Sequence, residues 1–579
     1  MVAEAATAPT AEEVFPTESE PKPIDQVTTD PSIVTEANED VAAAESGNVV
    51  EISESGDITP LSAARNEFIF SPQPPKSVSK SKSEESKGAE EAPVEEAADV
   101  KGKGEAVAEE PAVKEAVAEE PAVEKPAAEP AVKEAVVEEP PKLAGHFTLS
   151  LPESLRTPVE RPRSNGIVVS SRYVVLKAQE TNHNAGHENK GYLSFSHGFA
   201  PRLTPITHFP PEFDIWNKLC ADVPSLLSSN KLRQYCDDLP VLDAKKLPPA
   251  FALRAANVLG YTAHAYWNIG EVPEERSLPP GLEVPWKEIN HFHLGRDGEA
   301  YLGFFELIVG NFQFDDGAVP TPPVNSKACP WATKELATYG SIDYDPTKST
   351  ISNFSPSFWL TGLKEERIFY GVMTEMHTIG APIVKLTVEA QEAVLANNAV
   401  QLKCVLQSLL QMLTTLTFNS FNKIQQQRMA PHYNDATLWC KVVAPIATPI
   451  TSTTFGPSGT ACPLIHVLDA FFGRTKHEKF IGKEVQGLLH SFPTHWKEFV
   501  LSVWHGPSIR KYVANKSDDS ELQGLFGAAL QQYAGENGFL GRHKLKMVGY
   551  LEVAMKLGRA VTLGGFAGLL KDRTWDKVS

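Results

Sequence analysis

Apolar residues recur at helical spacing through most of the chain after residue 246. The strongest run follows Pro248-Pro249, whose fixed backbone suits a first helical turn, and continues through Phe251–Trp267 to a stop near Gly270. Further helical patterns fall at about 365–381, 386–426, 434–444, 462–472, 480–490, 494–504, 519–533 and 540–560. Alternating apolar and polar positions, the mark of a half-buried strand, are nearly absent after 210. The stretch 146–246 is punctuated by Pro, Gly and Asn and reads as loops and short elements, while 282–350 is mixed. The pattern predicts an all-α domain over 146–579, one large body with two helical sub-regions.

Residues 1–145 differ in kind. They carry 33 Asp and Glu against 12 Lys and Arg, a charge of −21, whereas the whole chain stands at −19. The remainder is therefore about neutral at +2 and offers no broad basic surface, which argues against nucleic acid as a partner. A unit repeats imperfectly in this tail, Pro111-Ala-Val-Lys-Glu-Ala-Val-Ala-Glu-Glu120 and then Pro130-Ala-Val-Lys-Glu-Ala-Val-Val-Glu-Glu139. Recurrent proline breaks helices, and few large side chains are present to offset chain-ordering entropy, so disorder is expected. The tail reads as a tolerated low-complexity extension, with a solubilising spacer or a docking segment for an unknown protein partner as the alternative. Deleting 1–140 should leave both the absorption spectrum and the helical circular dichroism of the protein unchanged; collapse of the truncated chain would move the boundary.

Six thinly scattered cysteines without a Cys-x-x-Cys pair argue against a zinc ribbon or a disulfide framework. The first basic residue is Lys22, which fits neither a signal peptide nor an Arg-rich transit segment, and no apolar run is long enough to cross a bilayer. A cytoplasmic address without membrane attachment is the expectation.

Several chemical signals fade on inspection. His183 and His187 have metal-ligand spacing but lie in a polar stretch that reads as a loop, and His291-Phe292-His293 reads as an exposed turn. There is no Gly-x-Ser-x-Gly elbow, and neither Gly456–Gly459 nor Gly564–Gly568 ends in Gly-Lys-Ser/Thr. The loop Gly456-Pro-Ser458-Gly459-Thr460 does precede a helix beginning near Cys462, and free amides at a helix start suit an anion, although a plain connecting loop is at least as good a reading.

The most informative segment is Gly541-Arg-His543-Lys-Leu-Lys-Met-Val-Gly-Tyr550-Leu-Glu-Val-Ala-Met-Lys556. At about 100° per residue, Met547, Tyr550 and Ala554 share a face with His543, and Lys544, Lys546 and Lys556 fall largely elsewhere. An imidazole on an apolar, aromatic face is most often a hydrogen-bonded core histidine. It is also what a haem iron takes as its axial ligand.

Read from Tyr433 to Met555, the order of features resembles the indoleamine 2,3-dioxygenase branch of the haem dioxygenases. The resemblance runs through Tyr433–Trp439, the loop Gly456–Thr460 with Leu468-Asp469-Ala-Phe-Phe, Leu488–Val500, Gly506–Tyr512 and the His543 helix. Arg542-His543, Gly549-Tyr550-Leu-Glu552 and Gly558-Arg559…Thr562-Leu-Gly564-Gly565-Phe566 are similar, more narrowly, to monodechloroaminopyrrolnitrin synthase and its relatives. Together they span 170–579, about seven-tenths of the chain.

The resemblance implies a helical haem fold with haem b as cofactor, His543 as the proximal iron ligand, and an indole-like aromatic substrate reacting with O2. It implies that Gly456, Ser458, Gly459 and Thr460 serve a haem propionate, and makes Tyr550 and Thr562 candidates for orienting substrate or tuning the site. His264 and His377 are candidate polar groups opposite the ligand, with a structural role the commoner one for each. One departure stands out. The indoleamine dioxygenases carry a substrate-carboxylate arginine in the helix aligned with Tyr433–Lys441, and this chain has none, leaving Lys441 as a weak stand-in. Their distal serine also lacks a counterpart near Gly371. Ring rearrangement, as in the narrower relative, and non-catalytic haem binding are the alternatives to dioxygenation.

Overall fold

The computed structural model describes residues 163–164, 167–269, 276–320, 334–425, 428–451, 454, 456–474, 477 and 485–557. The acidic tail and the glycine-rich segment with Thr562 lie outside the described residues. Among the described residues helix dominates, and the strands are limited to two short antiparallel pairs, Arg163–Ser164 with Ile167–Val168 and Gln313–Phe314 with Phe354–Ser355. The all-α expectation holds.

Three helices occupy the stretch that reads as loops in the sequence: α1 (Ser171–Ala185), α2 (Asp214–Ser228) and α3 (Leu232–Asp237). The α1 helix is capped by Ser170, whose hydroxyl accepts from Tyr173 N at 3.2 Å, and ends at Gly186 with φ 68°. Its inward stripe is Val174, Val175, Ala178 and Asn182, and Asn182 donates to Gly191 O at 3.2 Å. A polar residue in the buried stripe hides the helical period from a sequence reading.

The centre is α4 (Ala252–Asn268), buried from Ala252 through Ala265 on all sides, as befits a helix surrounded by others. It lies against α5 (Pro280–Glu288) with Gly260 beneath Trp286, where a Cβ would stand 2.8 Å from the indole nitrogen. Next comes α6 (Lys364–Ile379), whose opening Glu365 and Glu366 suit the positive end of a helix dipole. Glu366 accepts from Leu360 N, Thr361 N and the Tyr261 hydroxyl, tying α6 to α4.

The apolar run 386–426 is not one helix. It comprises most of α7 (Pro382–Leu395), α8 (Ala399–Asn419) and a tight turn at Phe421–Lys423. Asn397 adopts φ 51°, which asparagine tolerates, and the Asn398 side chain caps α8 by accepting from Gln401 N at 3.0 Å. Five further helices complete the body: α9 (Pro463–Phe471), α10 (Thr494–His505), α11 (Ile509–Asn515), α12 (Ser520–Ala534) and α13 (Phe539–Lys556). The α12 helix packs along α8, α9 along α10, and α13 closes against both α8 and α12.

Three segments widen to hydrogen bonds spanning five residues: Ile289–His293, Phe305–Val309 and Trp439–Val443. Such widenings are frequent at functional sites. The first takes in His291-Phe292-His293, so that stretch is helical in character rather than a simple turn. Of the expected helix at 480–490, residues 485–490 are helical, ending in the tight turn Leu489–Ser491, and 480–484 lie outside the described residues.

Candidate haem site

On α13 the spacing read from the sequence is realised. His543, Tyr550 and Ala554 are buried, Met547 packs against the core, and Lys544 and Lys556 are exposed. Desolvation pushes the His543 imidazole down to about 4, so it is neutral at pH 7. Its ring stands edge-on to Phe421, with centroids 5.1 Å apart.

The turn bearing Phe421 is joined to α6 by Lys423, which pairs with the buried Glu375. From α6, Phe369 reaches the same neighbourhood, 4.4 Å from the Trp439 ring and 6.0 Å from Tyr550. Further along that stripe, Met373 meets the Gly456–Thr460 loop, where a Cβ on Gly459 would come within 3.2 Å of Met373 Cε. One helical turn on, His377 Nε2 lies 3.5 Å from Cys462 Sγ and its ring stacks on Trp496. Thus α6 presents Phe369, Met373 and His377 in a line that runs from α13 to α10. The sequence reading did not single out Phe369, Met373 or Trp439; their four-residue spacing on an apolar helix was the available signal, shared with any core helix.

Tyr550 is committed. Its hydroxyl donates to Asn434 Oδ1 at 2.8 Å, Asn434 Nδ2 donates to Glu365 O at 2.9 Å, and burial holds the phenol well above its ordinary range. The arrangement makes Tyr550 a tether between α13 and α6, and Cys440 Sγ lies 3.3 Å from its carbonyl oxygen. Thr562 lies outside the described residues.

Three amides at the end of the Gly456–Thr460 loop and the start of α9 are bonded locally. Thr460 N donates to Ser458 Oγ, Ala461 N to Ser458 O and Cys462 N to Gly459 O, so these three are not left open at the start of α9. The Ser458 and Thr460 hydroxyls lie 2.7 Å apart, and His466 Nε2–H donates to Thr460 O at 3.2 Å.

The other histidines sort themselves by partner. His264 Nδ1–H donates to Ile446 O at 2.9 Å, a structural role. His183 falls in the last turn of α1 and His187 beyond the Gly186 cap, so the two do not share a helix face. No group of three or more metal-binding side chains occurs among the described residues. Lys441 is exposed on the widened turn while Trp439 and Cys440 face inward, so it does not stand in for the missing arginine.

Burial has a further consequence for stability. His187, His197, His264 and His495 are lowered to about 4, and His377 and His466 to about 3, in each case chiefly by desolvation. Below pH 6.5 the unfolded chain binds these protons and the folded chain does not. Each uncompensated proton removes about 1.4 kcal/mol of stability per pH unit. The melting temperature should therefore fall steeply between pH 6.5 and 5, above the carboxylate range. A flat profile across that window would mean that these imidazoles ionise freely in the folded protein.

The body is helical, and it buries a neutral imidazole, His543, beside the Phe421 ring. The family model for indoleamine 2,3-dioxygenase matches residues 189–535, which is 347 of the 579 residues, and the chain belongs to that family. The match ends eight residues before His543. Among curated proteins the chain is similar to indoleamine 2,3-dioxygenase qulI of Penicillium citrinum, with 22% identity over 59% of this chain and 74% of that one. It is similar to 6-hydroxytryptophan 2,3-dioxygenase fscD of Fusarium equiseti, with 22% identity over 57% and 78% of the two chains. Indoleamine 2,3-dioxygenase 1 of Rattus norvegicus is 32% identical over a shorter stretch, 19% of this chain and 27% of that one. Enzymes of the family depend on haem. No helix among the described residues is long and apolar enough to cross a membrane.

Proposed function

We propose that this protein is a haem b-dependent oxidoreductase that uses O2 to oxidise the ring of an indole or tryptophan-like substrate. The observation that carries the reading is His543, a neutral imidazole buried on the α13 face and flanked by Phe421. The surrounding residues suit the group. The donor is a nitrogen ligand of the right type, the walls from Phe369 and Trp439 are aromatic, and Trp439 Nε1–H is buried without a hydrogen-bond partner. Glycine at 459 keeps the loop close to Met373.

Bound haem would supply the activation of O2 and the insertion of both oxygen atoms into the ring. The chain would do the rest. His543 would hold the iron through a ring nitrogen, Phe369, Met373 and Trp439 would exclude water and stack against the substrate, and the Tyr550–Asn434–Glu365 link would fix α13 relative to α6. Ser458, Gly459 and Thr460, with Gly456, are proposed for the propionate side, and Thr562 for substrate orientation. The two fungal relatives, an indoleamine and a 6-hydroxytryptophan dioxygenase by name, support an indole-ring substrate. A cytoplasmic location fits the same reading, since none of the five described cysteines is in a disulfide.

A second reading keeps haem and the aromatic substrate but ends in ring rearrangement, as in the monodechloroaminopyrrolnitrin synthase-like branch. It is favoured by one observation: no arginine occurs in Tyr433–Lys441, and Lys441 is exposed. Absorption spectra of the haem-supplied protein, oxidised, reduced and reduced with carbon monoxide, test the common core. A Soret band that responds to reduction and to carbon monoxide is expected, followed by turnover of tryptophan or a ring-substituted tryptophan under reductant. Mass analysis of the product separates a gain of two oxygen atoms from a rearranged ring. Absence of a Soret band from the folded, haem-supplied protein would overturn both readings.

A further inference from the structure

Arg254 is a buried cation without a counter-charge among the described residues. It sits on α4 with 4% of its surface exposed. Its Nη1 donates to Ser357 Oγ at 2.8 Å, its Nη2 faces Ser357 O at 3.3 Å and Cys220 Sγ at 3.7 Å, and its Nε has no hydrogen-bond partner among the described residues. None of these groups carries charge at pH 7, since burial pushes the Cys220 thiol up and keeps it protonated. Phe358 lies over the guanidinium at 5.8 Å and adds only a ring face. A desolvated ion held by neutral dipoles alone is costly, and such ions are ordinarily paired.

Arg254 and His187 line the same cleft. The Nδ1 of His187 is buried and also lacks a partner, a second polar atom left open in the same cleft. Glu188 lines it too, but is neutralised by Arg202, whose Nε donates to Glu188 Oε1 at 2.9 Å. The remaining wall is largely apolar, from Tyr192, Leu203, Ile206 and Leu336. The cleft shares no residue with the His543 site. A guanidinium pairs with a carboxylate, a neutral imidazole can add one N–H donor to it, and the apolar walls suit an aromatic or aliphatic body.

We propose that this cleft binds a small monocarboxylate with an apolar body, its carboxylate meeting Arg254 and His187. The ligand would supply the charge that the fold withholds from Arg254, and the apolar walls would discriminate against small inorganic anions. Neither role needs haem, so the proposal stands apart from the functional reading above.

Calorimetric titration of the full-length protein with sodium benzoate tests it, with benzyl alcohol and inorganic phosphate as controls. Benzoate should bind at least tenfold more tightly than either control, and Arg254→Met should lose at least tenfold of that affinity. His187→Gln should lose about threefold. Since a change at a buried arginine can disturb folding, Ala250→Trp provides a second test by filling the cleft from its half-exposed wall, and it should abolish benzoate binding. The proposal is overturned if the alcohol or phosphate binds as tightly as benzoate. It is equally overturned if a folded Arg254→Met or Ala250→Trp protein binds benzoate like the parent.

Discussion

Replacing His543 with alanine is expected to abolish the Soret band of the haem-supplied protein and to lower oxidative turnover by more than about 100-fold, while the helical circular dichroism stays close to that of the parent. The expectation follows from what His543 does in the fold. It fills one position on α13, and the neighbouring Phe539, Tyr550 and Ala554 still anchor that helix when the imidazole is removed. The lost packing is modest, whereas a lost axial ligand is decisive. Exogenous imidazole gives an independent reading, because a cavity cut to the shape of the ring can accept the free ligand and restore the band. A merely structural histidine would show reduced stability without that rescue. Full retention of the Soret band in His543→Ala would remove His543 as ligand and with it the central argument for this site.

The His543 face was legible because α13 keeps a strict order of apolar and charged positions through two turns. The α4 helix was equally legible, preceded by Pro248-Pro249 and rich in apolar residues, although Arg254, Asn257 and His264 are buried on it too. Other elements were not, for reasons visible in the structure. Asn182 and Ser171 occupy inward positions of α1, so tertiary hydrogen bonds replace the apolar period that a sequence reading depends on. The break between α7 and α8 rests on two asparagines, one in a left-handed conformation and one capping, within a run otherwise suited to helix. The site wall from Phe369, Met373 and Trp439 could not be told from ordinary core, because its meaning comes from α13 lying across from it. At Gly456–Thr460 the local turn takes up the Thr460, Ala461 and Cys462 amides, a detail that spacing in the sequence does not report. Side-chain period reports which face is buried; it does not report what that face meets.

Trp496 carries the largest expected cost in stability of any single side chain in the site wall. Its side chain is wholly buried, and its Nε1–H donates to Tyr192 O at 2.7 Å. The ring packs edge-on against Phe199, Phe305 and Phe492 at 5.6, 5.1 and 5.8 Å, and lies nearly parallel to His377 at 6.2 Å. Trp496→Ala removes all of these contacts, costs about 3–5 kcal/mol for the cavity and leaves a buried carbonyl without its donor. A fall in melting temperature on the order of 10 °C is expected. Trp496→Phe should cost distinctly less, because it keeps most of the ring contacts and loses only the hydrogen bond and part of the volume. The consequence extends to the site, since His377 rests on this ring and lies on α6 one turn from Met373. Loosening Trp496 should therefore weaken haem retention in the alanine variant more than in the phenylalanine variant, measured as the rate of haem transfer to an apoprotein acceptor. Equal melting temperatures for the two variants would show that the hydrogen bond to Tyr192, rather than the packing of α10 on α6, holds this wall together.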